Sequence, residues 1–152
     1  MAYLVVRIKG TVNIPQWAKT TLNGLNLGKR FRATIIPESP EYLGMLRRVK
    51  EEVAWTKADV RIVKDLLEKR GRKIGDKPLS NSDIPQGYKS IDELATAIAE
   101  DKTSMSKLEG IKPWFALSPP RGGFKRRTKN QYAENGVLGD DSELIAIVQR
   151  ML

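Results

Sequence analysis

The 152-residue sequence predicts an α+β protein in which a small antiparallel sheet carries helices packed on one face. Strand-like segments are few and short, whereas several segments have helical periodicity. Along the chain they follow the order strand, helix, strand, helix, helix, helix, strand, helix. Hydrophobic residues make up 40% of the chain, enough to form the core of one compact domain.

The first strand is indicated by alternation near the N-terminus. Leu4, Val6 and Ile8 face the expected core, while Arg7 and Lys9 lie on the other face, available to solvent or a ligand. Three segments with clear signals follow. The first is a helix with Pro15 in its first turn and Trp17, Thr21, Leu22 and Leu25 on one side. The second is a strand from Phe31 to Ile36. The third is a helix that begins at Ser39-Pro40 and has Leu43, Leu46, Val49 and Val53 as its apolar stripe.

The second half is predicted to be mainly helical. A helix is expected from Asp59 to Arg70, and another after the capping box Ser90-Ile91-Asp92-Glu93. A short strand is expected from Trp114 to Leu117, followed by a long loop from Arg121 to Asp140. A final helix is expected to be capped by Asp140, Asp141 and Ser142. The stretch from Thr56 to Val60 can also be interpreted as a strand, so the start of the third helix is open.

Composition removes most enzymatic chemistry. The chain has no Cys and no His, which excludes thiolate nucleophiles, Cys-ligated zinc and imidazole bases. The remaining alternative, Mg²⁺-dependent phosphoryl transfer, would need carboxylates on a common face, and the sequence shows none. We therefore expect no enzyme, no cofactor, no metal and no small-molecule substrate. No apolar run is long enough to cross a bilayer and the first residues do not resemble a secretory signal, so we expect a cytoplasmic protein without a membrane partner.

The positive charge is concentrated in two parts of the chain. The formal net charge is +9, from 27 Lys and Arg against 18 Asp and Glu. Residues 1–76 contain 16 basic and 8 acidic side chains, and residues 111–133 contain 6 basic and none acidic. Clustering of this kind favours a polyanionic partner over uniform solubilisation.

The strongest binding signal is the segment that follows Pro119-Pro120. Five cations within nine residues neutralise phosphates, glycines allow close approach of the backbone, and an aromatic ring can stack on an unpaired base. The candidate nucleic-acid-binding residues here are Arg121, Gly122, Gly123, Phe124, Lys125, Arg126, Arg127 and Lys129. The alternative is a solvated surface loop, which is less expected for a basic loop of twenty residues in a compact domain.

Two further basic groups have weaker support from the residues alone. Lys29, Arg30 and Arg32 surround a helix-to-strand turn, and Arg47 and Arg48 lie opposite the apolar stripe of the second helix. On composition alone an ordinary basic turn is slightly favoured for the first group, and a solvated helix face is the usual explanation for the second. The three tryptophans, Trp17, Trp55 and Trp114, are expected to be core anchors rather than ligand platforms.

Several short motifs occur together in an order that is specific. They are Val6-Arg7-Ile8-Lys9-Gly10, Leu25-x-Leu27, Gly44-Met45-Leu46, Val53-Ala54-Trp55, Leu67-Glu68-Lys69-Arg70-Gly71-Arg72 and Pro119-Pro120-Arg121-Gly122-Gly123-Phe124. With these motifs the whole chain resembles the large-subunit ribosomal protein thirty family, in its long archaeal and eukaryotic form.

The resemblance implies a ferredoxin-like β-α-β-α-β core with inserted and C-terminal helices in a single domain, 1–152. The core would comprise 1–55 and 111–118, with Trp114 to Leu117 as its third strand, a helical insertion at 56–110, and the basic loop and last helix at 119–152. It also implies a structural constituent of the large ribosomal subunit that binds ribosomal RNA and contacts neighbouring ribosomal proteins. The implied RNA contacts are Lys29, Arg30, Arg32, Arg47, Arg48 and the basic loop. The alternative is a stand-alone RNA- or DNA-binding regulator with the same electrostatics.

Overall fold

The computed structural model describes residues 2–80, 84, 87–108 and 110–152. Its strands are β1 (Tyr3–Arg7), β2 (Arg32–Ile36), β3 (Val53–Lys57), β4 (Arg72–Lys73), β5 (Lys77–Pro78), β6 (Phe115–Ala116), β7 (Arg127–Gln131) and β8 (Gly136–Asp140). Its helices are α1 (Gln16–Gly24), α2 (Pro40–Arg48), α3 (Val60–Arg70), α4 (Ile91–Ala99) and α5 (Leu144–Gln149), with 3-10 turns at Met105–Lys107 and Tyr132–Glu134.

Six strands form one sheet in the order β6-β2-β1-β3-β8-β7, and β4 and β5 form a separate hairpin. The pairs β6–β2, β2–β1 and β1–β3 are antiparallel, with Val5 opposite both Thr34 and Trp55. The pairs β3–β8 and β7–β8 are parallel. The α+β class with a ferredoxin-like β1-α1-β2-α2-β3 core is confirmed, and two parallel strands extend it at one edge.

The helices cover both faces of the sheet rather than the one face expected. Leu4 and Val6 pack into the larger core with α3, α4 and α5. Val5 and Trp55 pack on the opposite face against α1 and α2. The apolar run Leu4-Val5-Val6 fits burial on both sides, a pattern that clean alternation does not capture.

Arg7 was expected on an open face, and this was wrong. It is buried, and its guanidinium donates to the carbonyl oxygens of Leu27 at 2.8 Å, Lys9 at 3.1 Å and Gly10 at 3.2 Å. Burial lowers the pKa of Arg7, and the nearby Glu52 opposes that shift. Arg7 therefore fixes the loops at one end of β1 and is not free to bind a ligand.

The third core strand is β3, not Trp114 to Leu117 as expected. Val53, predicted on the stripe of the second helix, begins this strand, because α2 ends at Arg48 and the Glu52 N–H donates to the Val49 carbonyl in a tight turn. The apolar segment around Phe115 instead forms the edge strand β6, next to β2. The expected core boundary at residue 55 falls inside β3.

The caps predicted at Ser39 and Ser90 occur in the structure, and Asp59 caps α3. The cap predicted at Asp140, Asp141 and Ser142 is wrong, because Asp140 ends β8 and α5 has Glu143 at its N-cap position without a side-chain cap hydrogen bond. Ser39, Asp59 and Ser90 each accept a hydrogen bond from the N–H three residues later. The Glu93 carboxylate also accepts from the Lys89 N–H at 2.9 Å, one residue before the Ser90 N–H that a capping box uses. These local signals placed the starts of α2, α3 and α4 well.

Asp141 links β8 to α5 from a fully buried position. Its N–H donates to the Trp55 carbonyl at 3.0 Å, and its Oδ1 accepts from the Glu143 N–H at 2.9 Å. Oδ2 has no hydrogen-bond partner among the described residues. Burial raises the pKa of the carboxyl, although the Glu143 N–H and the charge of Arg126 favour the ionised form.

The raised pKa predicts a pH-dependent stability. Because the folded protein holds the Asp141 proton to higher pH than the unfolded chain, the stability contribution is full below about pH 4 and is lost as pH rises through the folded pKa. We expect Asp141→Asn to reduce this loss of unfolding free energy, since the amide oxygen can still accept from Glu143. Urea titrations from pH 4 to 8 test this, with the exposed neighbour substitution Asp140→Asn as the matched control. Parallel curves for Asp141→Asn and the wild type would contradict the expectation.

Candidate nucleic-acid interface

The turn from α1 to β2 is held by two buried leucines. Leu25 and Leu27 are inaccessible to solvent, and the Leu27 N–H donates to the Leu22 carbonyl at 2.8 Å. This anchoring leaves Lys29 and Arg30 exposed at the surface. The local sequence thus places apolar side chains inward and the two cations outward at one end of the sheet.

Aromatic rings support both arginines of this turn. The Arg30 guanidinium lies 4.5 Å from the centroid of the Phe31 ring, and its Nε donates to the Ile8 carbonyl at 2.8 Å. The Arg32 guanidinium lies 4.5 Å from the centroid of Trp114. These contacts restrict the two side chains, so less conformational entropy is lost when they bind an anion.

Phe31 adopts a left-handed backbone conformation, with φ of 64°. For a bulky residue this costs on the order of 1–3 kcal/mol, so the surrounding contacts must hold it in place. The Phe31 N–H donates to the Arg7 carbonyl at 2.8 Å, and its ring stacks on Phe124 with centroids 6.2 Å apart and planes at 26°. The stack joins the turn to the basic segment of the second half of the chain.

Arg150 fixes the backbone of that basic segment. Its Nη1 donates to the carbonyl oxygens of Arg121 at 3.0 Å and Gly123 at 2.7 Å. Gly122 and Gly123 have φ of 81° and 71°, and the Gly123 N–H closes a turn on the Pro120 carbonyl at 3.0 Å. A side chain at either position would be strained there, so the glycines serve the turn itself.

The long loop predicted from Arg121 to Asp140 is wrong for most of its length. After the glycine turn the chain forms β7, the 3-10 turn at Tyr132–Glu134 and β8. β7 is the outer strand of the sheet, and Arg127 and Lys129 are exposed on it, as is Lys125 just before it. A strand of five polar residues gives no hydrophobic alternation, which explains why the sequence did not reveal it.

Arg126 differs from its neighbours. Its guanidinium lies 4.4 Å from the centroid of Tyr132, and its Nε is 3.8 Å from Oε2 of Glu143. The side chain is half-buried, and its Nη1 has no hydrogen-bond partner in the described part of the chain. Arg126 thus connects β7 to the start of α5, and its charge is less available than those of Lys125 and Arg127.

Arg47 and Arg48 lie in the last turn of α2, on the opposite sheet face from α5. Both are exposed, and the Arg48 guanidinium is 5.3 Å from the centroid of Trp17. Among the described residues, no hydrogen bond, ion pair or ring contact joins this pair to the turn or to the glycine segment. The predicted site residues therefore form two groups.

All three tryptophans were predicted to be core anchors, and the structure confirms this for Trp55 alone. Trp55 is buried, and Trp114 is half-buried between Arg32 and Lys112, whose Nζ is 5.0 Å from its ring centroid. Trp17 is 47% exposed and is not a core anchor. Its helix instead buries Ala18 and Leu22, so the buried side of α1 is displaced from the one predicted.

Sequence reasoning missed the supporting role of Phe31 and Arg150. For Phe31 the sequence did contain a signal, namely a bulky aromatic residue between Arg30 and Arg32. Nothing marked Arg150, since its partners are backbone carbonyl oxygens 27 and 29 residues away.

Across the described ranges, no cluster of three or more His, Cys, Asp or Glu side chains could hold a metal ion. In the same ranges, no helix is both long and apolar enough to cross a membrane.

Comparison with known proteins decides the family. The model of the family described as ribosomal protein L30p/L7e matches residues 3–53, from the start of β1 to the first residue of β3. The large ribosomal subunit protein uL30 of Nitrosopumilus maritimus is 47% identical to the chain, and that of Cenarchaeum symbiosum is 51% identical. Each alignment covers 99% of this chain and 98% of the relative. The chain belongs to the uL30 family of large-subunit ribosomal proteins.

The similarity extends to more distant relatives over the same length. The uL30 protein of Staphylothermus marinus is 39% identical, again over 99% of this chain and 98% of its own. The resemblance inferred from the motifs is confirmed, including the long form of the family, because these relatives align beyond β3 through α5.

Proposed function

We propose that this uL30 family member is a structural constituent of the large ribosomal subunit and binds ribosomal RNA mainly through one joined basic surface. This joined surface comprises the turn residues Lys29, Arg30 and Arg32 with the segment Arg121 to Lys129. Arg47 and Arg48 form a second, smaller contact. The partners are ribosomal RNA and neighbouring ribosomal proteins, in the cytoplasmic ribosome, and the role is structural rather than catalytic.

The observation that carries this proposal is the Phe31–Phe124 stack. Two segments ninety residues apart in sequence, each rich in cations, meet at rings whose centroids are 6.2 Å apart. A shared footprint allows one RNA backbone to contact cations from both segments, which separate surface patches would not.

The charge of this surface is largely uncompensated. In the described part of the chain, no Asp or Glu carboxylate forms an ion pair with Lys29, Arg30, Lys125, Arg127 or Lys129. Arg121 differs, because its Nη2 donates to an oxygen of Leu152 at 3.3 Å. By contrast, Lys57, Lys64 and Lys102, elsewhere on the protein, each form an ion pair. Exposed cations without a carboxylate partner attract phosphates and release the counterions condensed on RNA.

Arg30→Ala tests the joined surface. Because Arg30 is exposed, we expect the unfolding free energy to change by about 0.5 to 1 kcal/mol at most. Losing its phosphate contact should weaken binding to large-subunit RNA by roughly tenfold. Filter binding to this RNA, together with co-sedimentation of the full-length protein with large subunits, measures the effect.

Arg61→Ala is the matched control, since Arg61 is exposed on α3 away from the joined surface. An equal loss with Arg61→Ala would show that binding follows net charge alone and would contradict the proposal. Tight RNA binding without co-sedimentation would favour a stand-alone nucleic-acid-binding regulator instead.

A further inference from the structure

Trp17 is the most exposed aromatic feature that the joined surface does not include. It lies in the first turn of α1 with 47% of its surface exposed, and Val12, in the preceding loop, is 79% exposed. Exposing two large apolar side chains to water costs free energy, and burial against a partner would recover it. Because the two residues are close in sequence, they can form one exposed apolar patch.

The Trp17 ring lines a surface cleft of about 450 Å³ between the β1–α1 loop and the α2–β3 turn. Val12, Ile14 and Pro15 form apolar lining, and Glu51 and Glu52 lie at the turn side. The volume falls within the roughly 300–1,000 Å³ typical of small-molecule and cofactor sites.

Cations lie beside Trp17 and at one part of the cleft lining, and they indicate what kind of partner fits it. The Arg48 guanidinium is 5.3 Å from the Trp17 ring centroid, Arg47 and Lys50 are exposed nearby on α2 and its end, and Lys9 lines the cleft itself. No carboxylate forms an ion pair with Arg47, Arg48 or Lys50 within the described ranges. An aromatic platform bordered by uncompensated cations matches an unpaired base with its flanking phosphates.

Glu51 adds a preference among bases. It is exposed and lines the same cleft as Trp17. A carboxylate accepts hydrogen bonds but cannot donate them, so it favours a base edge that presents an amino group. Cytosine presents such a group where uracil presents a carbonyl oxygen.

We propose that Trp17 is a stacking platform for one unpaired, amino-bearing base of single-stranded RNA, with Glu51 accepting from the base edge and Arg47 and Arg48 binding the adjacent phosphates. This inference rests on the proposed RNA-binding function and adds a second, base-reading contact on the opposite side of the sheet from α5. The joined surface binds the backbone, whereas the cleft selects an unpaired nucleotide.

The test uses the full-length protein carrying Trp114→Phe, so that Trp17 is the main solvent-accessible tryptophan. The probes are decamers of cytidine and of uridine. We expect the cytidine decamer to quench Trp17 fluorescence and to bind several-fold more tightly than the uridine decamer. Trp17→Ala should weaken decamer binding roughly tenfold, while Trp17→Phe, which keeps a ring, should retain most of it.

Glu51→Gln should remove the preference for cytidine, because an amide both donates and accepts. Equal affinities of the wild type for the two decamers, or unquenched fluorescence, would overturn the base-reading role. Protection of Trp17 in assembled subunits without quenching by either decamer would assign the cleft to a protein neighbour and also overturn it. Neither result would alter the effect expected of Arg30→Ala, so the two proposals fail separately.

Discussion

Replacing Arg121, Lys125, Arg127 and Lys129 with Gln is expected to flatten the salt dependence of RNA binding by about 3 units of log–log slope. Each phosphate neutralised by a cation contributes roughly 0.7 to 0.9 units through counterion release. These four side chains are exposed on the glycine turn and the outer strand β7. Between 50 and 200 mM salt, a slope change of 3 corresponds to an affinity difference of about 60-fold.

Arg126 should contribute little to this effect, although the sequence alone gives it equal rank. It is half-buried, and its guanidinium contacts Tyr132 and Glu143. Adding Arg126→Gln to the fourfold variant should therefore lower the unfolding free energy. It should change the salt slope by less than the roughly 0.7 to 0.9 units expected of a cation that neutralises a phosphate. Equilibrium binding across a salt series, paired with urea unfolding, separates the two effects.

A control with the same change of net charge replaces four exposed cations elsewhere, Arg61, Lys69, Lys89 and Lys107. Because the Debye length is about 8 Å at physiological salt, remote charges are screened and the slope should hardly change. A similar flattening in both variants would remove the basic segment from the binding site.

Local signals in the sequence were sufficient wherever a structure depends on neighbouring residues. Ser39, Asp59 and Ser90 fix helix starts because a cap needs only a side chain and an N–H three residues away. The basic turn could be located for the same reason, since Leu25 and Leu27 anchor it within the α1–β2 connection.

Long-range pairing determined what could not be predicted. β3 follows α2 after a turn without Gly or Pro, so Val53 extended the apparent helical stripe. β7 pairs with β8 in parallel through a short connection, and no hydrophobic alternation marks it as a strand. Both β3 and β6 come from short apolar segments, and β3 lies inside the sheet whereas β6 lies at its edge. This choice depends on packing against both faces of the sheet, and the sequence of either segment alone does not contain that information.

For α1 the predicted apolar side was right in part. Of Trp17, Thr21, Leu22 and Leu25, the structure buries the two leucines, together with Ala18, and leaves Trp17 exposed. The buried side of the helix is therefore rotated away from Trp17. Small Ala18 permits close approach of the helix to the sheet, where a tryptophan would not fit, so the larger residue remains outside.

Phe115→Ala and Trp17→Ala should have opposite consequences for stability and binding. Phe115 is fully buried on β6, opposite Ala33 of β2, and packs in the larger core. Removing its ring leaves a cavity and should lower the unfolding free energy by about 3–5 kcal/mol. This is a large part of the roughly 5–15 kcal/mol that stabilises a domain, so the midpoint of urea unfolding should fall sharply.

Trp17→Ala removes a ring of similar or greater size but should cost about 1 kcal/mol or less. The side chain is half exposed, and its contact with Arg48 is a cation–π interaction worth about 0.5–1 kcal/mol at an exposed site. RNA affinity should show the reverse order. Once corrected for the unfolded fraction, Phe115→Ala should bind like the wild type, whereas Trp17→Ala should bind single-stranded RNA roughly tenfold more weakly. A loss of 3 kcal/mol or more in Trp17→Ala would instead mean that this ring packs in the core, as the sequence first indicated, and the stacking platform would then be abandoned.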